Sequence, residues 1–197
     1  MKKFIKLVLL IIFLPVPIVS MLFFAYIGKS HAETAKVQED LVLNINDAIL
    51  GPGAYVDLIA YLDSLQEGDI LTININSPGG SVFGGIPLVN ALLRTKAKIK
   101  VNIVGGAFSM AAVIACTGDE IHMDPGTVWM FHDYSTEGLA GKGSEIIGYA
   151  TSVSKQLTDI LNTACYKVLT PEDIDNIMSG RDLYIHPEDA KRRLQGN

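Results

Sequence analysis

Two apolar runs, Asp69 to Asn76 and Lys98 to Val104, each end in a glycine turn and pass at once into a helix-compatible stretch. The first turn, Ser77-Pro78-Gly79-Gly80-Ser81, leads into a helical pattern through Leu88, Leu92 and Leu93, and the second, Gly105 to Ser109, leads into Met110 to Thr117. Strand, turn and helix recur at about thirty residues, the rhythm of an α/β domain with mostly parallel strands and crossover helices. Loops that bind ligands in such a domain gather at the carboxyl ends of the strands, so both turns are expected on one edge of the sheet.

The flanking segments extend the pattern. Leu41 to Ile45 alternates as a short strand, and Gly51-Pro52-Gly53 opens a helix with Val56, Ile59, Ala60 and Leu62 at helical spacing. Glu120 to Met123 and Thr127 to Phe131 read as short strands around the turn Asp124-Pro125-Gly126. After a glycine-rich loop, Ser144 reads as the N-cap of a helix reaching about Leu169, with Ile146, Ile147, Ala150, Val153, Leu157, Ile160 and Leu161 on one face. That face is longer than one sheet covers and predicts a partner subunit. Thr170-Pro171-Glu172-Asp173 starts a further helix with cap, proline and acidic first turn in order.

The apolar fraction of 49% is high for a soluble domain, and much of the excess sits at the front. Residues 4–27 contain one charge, Lys6, so the segment 1–32 is expected to be a membrane anchor or a signal peptide cleaved near Ala32, with 33–40 as linker and 41–197 as the domain. Lys2, Lys3 and Lys6 precede or begin the apolar run and only Lys29 and Lys36 follow closely, which places the domain outside the cytoplasm. A net charge of -5 with no basic cluster beyond Lys191-Arg192-Arg193 argues against nucleic acid. The four histidines are scattered, so no metal site or other cofactor is expected. Cys116 and Cys165 lack metal-type spacing and read as packed free thiols.

Ser109 lies where a strand should turn into a helix. At such a turn a hydroxyl stands clear of the backbone beside the N-H of the next residue, Met110, and the nucleophile elbow needs minimal bulk two residues either side, here Ala107 and Ala111. By its residues alone the stretch is more simply a Gly/Ala-rich turn that lets a buried helix pack closely on the sheet. Nor do they favour His132 over His122, or Asp182 over Asp119, Asp124 and Asp133.

Four motifs in order narrow the choice: Ile75-Asn76-Ser77-Pro78-Gly79-Gly80-Ser81-Val82, Gly106-Ala107-Phe108-Ser109-Met110-Ala111, Met130-Phe131-His132, and Arg181-Asp182 before a closing helix. From Leu41 to Ala190 the chain resembles the proteolytic subunit of the Clp peptidase (ClpP). The resemblance implies a crotonase-like α/β fold with a protruding long helix, the handle that joins stacked rings in that family. It implies a serine endopeptidase acting on peptides or unfolded proteins, with Ser109 as nucleophile, His132 as base and Asp182 as its orienting acid. The N-H groups of Gly80 and Met110 would form the oxyanion hole. Gly79, Ser81, Val82 and Phe83 would lie along the substrate, with Ser81 to Gly84 pairing to it by strand addition.

The chain departs from the family in its leading apolar segment, in lacking axial amino-terminal loops, and in stopping soon after Ala190; these set an ATPase unfoldase partner in doubt. Anchored relatives on this fold use a Ser-Lys dyad, for which Lys142 is the candidate. The alternative function is a non-proteolytic crotonase-fold protein, either an acyl-thioester enzyme or an inactive assembly subunit.

Overall fold

The computed structural model describes residues 40–136 and 138–196. The expected anchor or signal segment and most of the linker lie outside the described residues, and no helix among those described is long and apolar enough to cross a membrane. The elements alternate as β1 (Asp40–Ile45), α1 (Val56–Ser64), β2 (Ile70–Ser77), α2 (Val82–Arg94), β3 (Lys98–Phe108), α3 (Met110–Ala115), β4 (Glu120–Met123) and β5 (Val128–Phe131). The long helix α4 (Gly143–Ala164), α5 (Pro171–Met178), β6 (Leu183–Ile185) and α6 (Pro187–Gln195) complete the domain.

One six-stranded sheet runs β1-β2-β3-β5-β6, with β4 also on β3. All its pairings are parallel except β5 with β6, which fits the α/β reading. Alternate residues of β2 and β3, Leu71, Ile73 and Ile75 with Ile99, Val101 and Ile103, are buried in the core. The period of two sends Asn44, Asn74 and Asn102 to the other face, where they stand in register. Asn74 Nδ2 donates to Asn44 Oδ1 and Asn102 Nδ2 to Asn74 Oδ1, both at 2.9 Å.

The central strand is longer than its sequence suggests. Gly105 to Phe108 reads as a turn, yet β3 continues through it because β4 pairs with Lys100 to Ile103 and β5 takes over at Gly106 to Phe108. Register against β2 shifts between Ile75 and Ser77, and the Asn76 side chain accepts from the Gly106 N-H at 3.1 Å, replacing the ladder bond lost at the bulge.

Helix α4 divides into halves. Val153, Leu157, Ile160, Leu161 and Ala164 are buried in the domain, whereas Ile147 is 68% exposed. Arg193 on α6 donates to Asp173 Oδ2 on α5 at 2.7 Å and to the Val168 carbonyl at 3.0 Å. Burial would raise the Asp173 carboxyl, but hydrogen bonds from Arg193 and Thr170 outweigh it and hold the group below its ordinary value.

The cysteines correct the free-thiol reading. Cys116 and Cys165 form a disulfide with Cα atoms 4.9 Å apart. Each is the C-cap of its helix, α3 and α4, and the packing of those helices brings their ends together. Forty-nine residues of separation carry no hint of that meeting, because pairing is a tertiary property.

Candidate active site

The nucleophile turn is built by strain. Ser109 has φ 54° and ψ -124°, and it alone among the described non-glycine residues has a positive φ. Such a conformation costs about 1–3 kcal/mol and persists only where the surroundings impose it. They do so here through the Ser109 N-H, which donates to the Met130 carbonyl of β5 at 2.9 Å, and through buried Ala107 and Ala111. The Ser109 hydroxyl makes no capping bond to α3. Directly after it, the Met110 N-H opens the helix and has no acceptor within it.

The glycine turn lies against this elbow. A Cβ on Gly79 would fall 2.6 Å from Ser109 Cβ and 3.1 Å from the Met110 nitrogen, and φ of +86° makes glycine the natural residue there. At the next position Ile49 bridges in parallel: its N-H donates to the Gly79 carbonyl at 2.7 Å and its carbonyl accepts from the Ser81 N-H at 2.9 Å. Because successive groups of an extended segment point to opposite sides, the N-H of Gly80 is directed away from Ile49.

Strand register gathers the remaining groups. Phe108 pairs with Met130, so β5 ends beside Ser109, and His132 follows its last residue. Phe131 pairs with Leu183, the first residue of the antiparallel β6, so His132 and Asp182 each lie one residue beyond the last pair of these strands. Trp129 fixes β5 against α3, its buried indole Nε1 donating to the Ala112 carbonyl at 3.0 Å. Ser109 and His132 line one narrow cavity, with Val82, Val113, Phe131, Tyr134, Leu157 and Leu161 among its walls. Among the described residues no hydrogen bond joins Ser109 to His132 or His132 to Asp182. The Asp182 carboxylate instead accepts from the Tyr184 hydroxyl at 3.3 Å.

The first three sequence motifs come together here, and the Clp protease family model matches the chain over residues 34–193. The chain belongs to the Clp protease family. It is 30% identical over 140 residues to an ATP-dependent Clp protease proteolytic subunit of Bacteroides thetaiotaomicron, covering 68% of this chain and 61% of that one. It is 28% identical over 171 residues to the corresponding subunit 1 of Shouchella clausii, covering 84% and 88%, and 29% identical over 157 residues to that of Carsonella ruddii, covering 74% and 79%. The chain thus spans about three fifths of the first relative's length and most of the other two.

Within this Clp protease domain the remaining predicted residues fall as follows. His122 pairs with Asn102, seven residues before Ser109 and on the order of 20 Å away along β3, and its Nε2 lies 3.3 Å from Asp124 Oδ1. Lys142 is the exposed N-cap of α4, with its amine 3.4 Å from Glu145 Oε1, and does not line the cavity of Ser109. Ser81 is the N-cap of α2, accepting from the Gly84 N-H at 3.1 Å, and Val82 and Phe83 form the first turn. The strand addition expected of Ser81 to Gly84 therefore does not fit, since a helical backbone has no free extended edge. Val82 lines the cavity by its side chain, and Phe83 lies against Tyr149 with ring centroids 6.2 Å apart.

Sequence reasoning missed Trp129 and Tyr134. A lone tryptophan alternating with Phe131 towards one face was the available signal for the first; nothing marked the second.

Proposed function

We propose that the chain is a serine endopeptidase that cleaves peptides or unfolded proteins. The observation that carries this reading is the positive-φ Ser109, uncapped and sharing a cavity with His132. Ser109 Oγ attacks the scissile carbonyl while His132 takes its proton, forming a Ser109 ester after the proton passes to the leaving amine. Water then enters by the same route and releases the acid. Asp182 holds the imidazole in the productive tautomer after turning from Tyr184, a tightening that unliganded sites commonly require. The N-H groups of Gly80 and Met110 receive the oxyanion, each worth roughly a hundredfold or more in rate.

A ring of identical subunits joined through the exposed half of α4 belongs to the same proposal. So does anchoring by residues 4–27 with the domain outside the cytoplasm, supported by the lysine distribution and by the disulfide, since disulfides persist in oxidising compartments. Curated relatives are named ATP-dependent. An outward-facing domain has no access to ATP, and its substrates would be short or already unfolded chains.

The Asp182 to Tyr184 bond favours the second reading, a non-hydrolytic member of the fold. A fluorophosphonate probe separates them: wild type should be labelled and Ser109→Ala should be neither labelled nor active. Peptide cleavage retained by purified Ser109→Ala would end the assignment.

A further inference from the structure

The cavity beside Ser109 is walled mostly by apolar side chains and is nearly full, with a free volume of about 10 Å3. It is the apolar recess that Ser109 itself lines, and so the place open to a side chain on the acyl carbon of a substrate bound there. Most of the wall is held in place. Val113 and Phe131 are buried core residues, and Leu157 and Leu161 are buried on the half of α4 that the disulfide ties to α3.

Tyr134 is different. It sits in the irregular segment after β5, is only partly buried, and is tied to α4 by its hydroxyl, which donates to the Ala150 carbonyl at 3.1 Å. Its ring therefore belongs, with partly buried Val82, Ser109 and His132, to the part of the lining that lies outside the packed core, and of these it is the largest apolar group.

Resting on the peptidase reading above, we propose that Tyr134 is a specificity-determining residue that restricts the position preceding the cleaved bond (P1) to small side chains such as alanine. A methyl group fits the remaining space, and an isobutyl group requires the ring to leave. Discrimination between such side chains by a rigid apolar pocket amounts to about 10- to 200-fold per methylene at most, so a tenfold or larger preference is the expected scale.

The test uses the full-length protein in detergent with two fluorogenic peptides that differ only in alanine or leucine at P1, together with fluorophosphonate labelling. Wild type should cleave the leucine peptide with kcat/KM at least about tenfold below the alanine peptide. Tyr134→Ala should raise the leucine-to-alanine ratio about tenfold or more, and Tyr134→Phe, which keeps the ring, should keep the alanine preference. Equal cleavage of both peptides by wild type overturns the proposal whether or not the variants fold. An unchanged ratio in labelled Tyr134→Ala overturns it as well, and a Tyr134→Phe variant that admits leucine overturns ring volume as the cause. Wild type that is neither labelled nor active sinks the peptidase reading itself, an outcome distinct from a labelled, active enzyme without P1 preference.

Discussion

Ser109 holds a backbone conformation that its side chain disfavours, and the cost is predicted to be visible as stability. With φ at 54°, glycine relieves the conflict between Cβ and backbone while alanine keeps it. Ser109→Gly should therefore be more stable than Ser109→Ala by about 1 kcal/mol, read as a higher denaturant midpoint, and both should lack probe labelling. Equal midpoints would mean that the turn relaxes on substitution and that no strain is stored there. The sequence displayed this turn only in part. The small residues Ala107 and Ala111 and the bare Gly79 were visible as missing bulk, because space is a property of side chains. The sign of φ at Ser109 was not, since it comes from the Met130 carbonyl and the packed Gly79 turn, both remote in sequence.

At the scale of elements, the alternation of strand, glycine turn and helix was legible because each signal is local. The cap of α5 is an example, with Thr170 accepting from the Asp173 N-H as its motif predicts. What stayed hidden depended on neighbours. The end of β3 looks like a glycine turn until β5 pairs with it, and nothing local tells that Asp182 and His132 each lie one residue beyond the last pair of β5 with β6. The apolar face of α4 is the sharpest case, for one uninterrupted stripe serves two purposes. Leu157, 4% exposed, belongs to the domain core and the wall beside Ser109, whereas Ile147 is available to another subunit. Ile147→Glu should split the assembly in light scattering while leaving unfolding of the domain within about 0.5 kcal/mol of wild type. Leu157→Ala should leave assembly surfaces alone and destabilise the fold by about 2–5 kcal/mol. A reversal of those two outcomes would refute the division of the helix.

The whole molecule is constrained by where its disulfide can survive. The bond closes a loop of 49 residues between the ends of α3 and α4, so in a chain-entropy account its loss costs about 4 kcal/mol. Against a typical total of about 5–15 kcal/mol, that is a large fraction of the stability. A domain facing the cytoplasm would have to forgo it under reducing conditions, while one facing outward would keep it. This argument is independent of the small excess of lysines before the apolar run, and it points the same way. Two measurements follow. Replacing both cysteines by alanine should lower the Tm on the order of 10 °C, as expected for about 4 kcal/mol in a chain of this size. In cells quenched with a small alkylating agent and then denatured, Cys116 and Cys165 should resist a maleimide-polyethylene glycol until a reductant is added, giving a two-thiol mobility shift only after reduction. No shift even after reduction, because both thiols had been free in the cell and were capped by the alkylating agent, would show that the pair is not oxidised there and would overturn the outward placement of the domain.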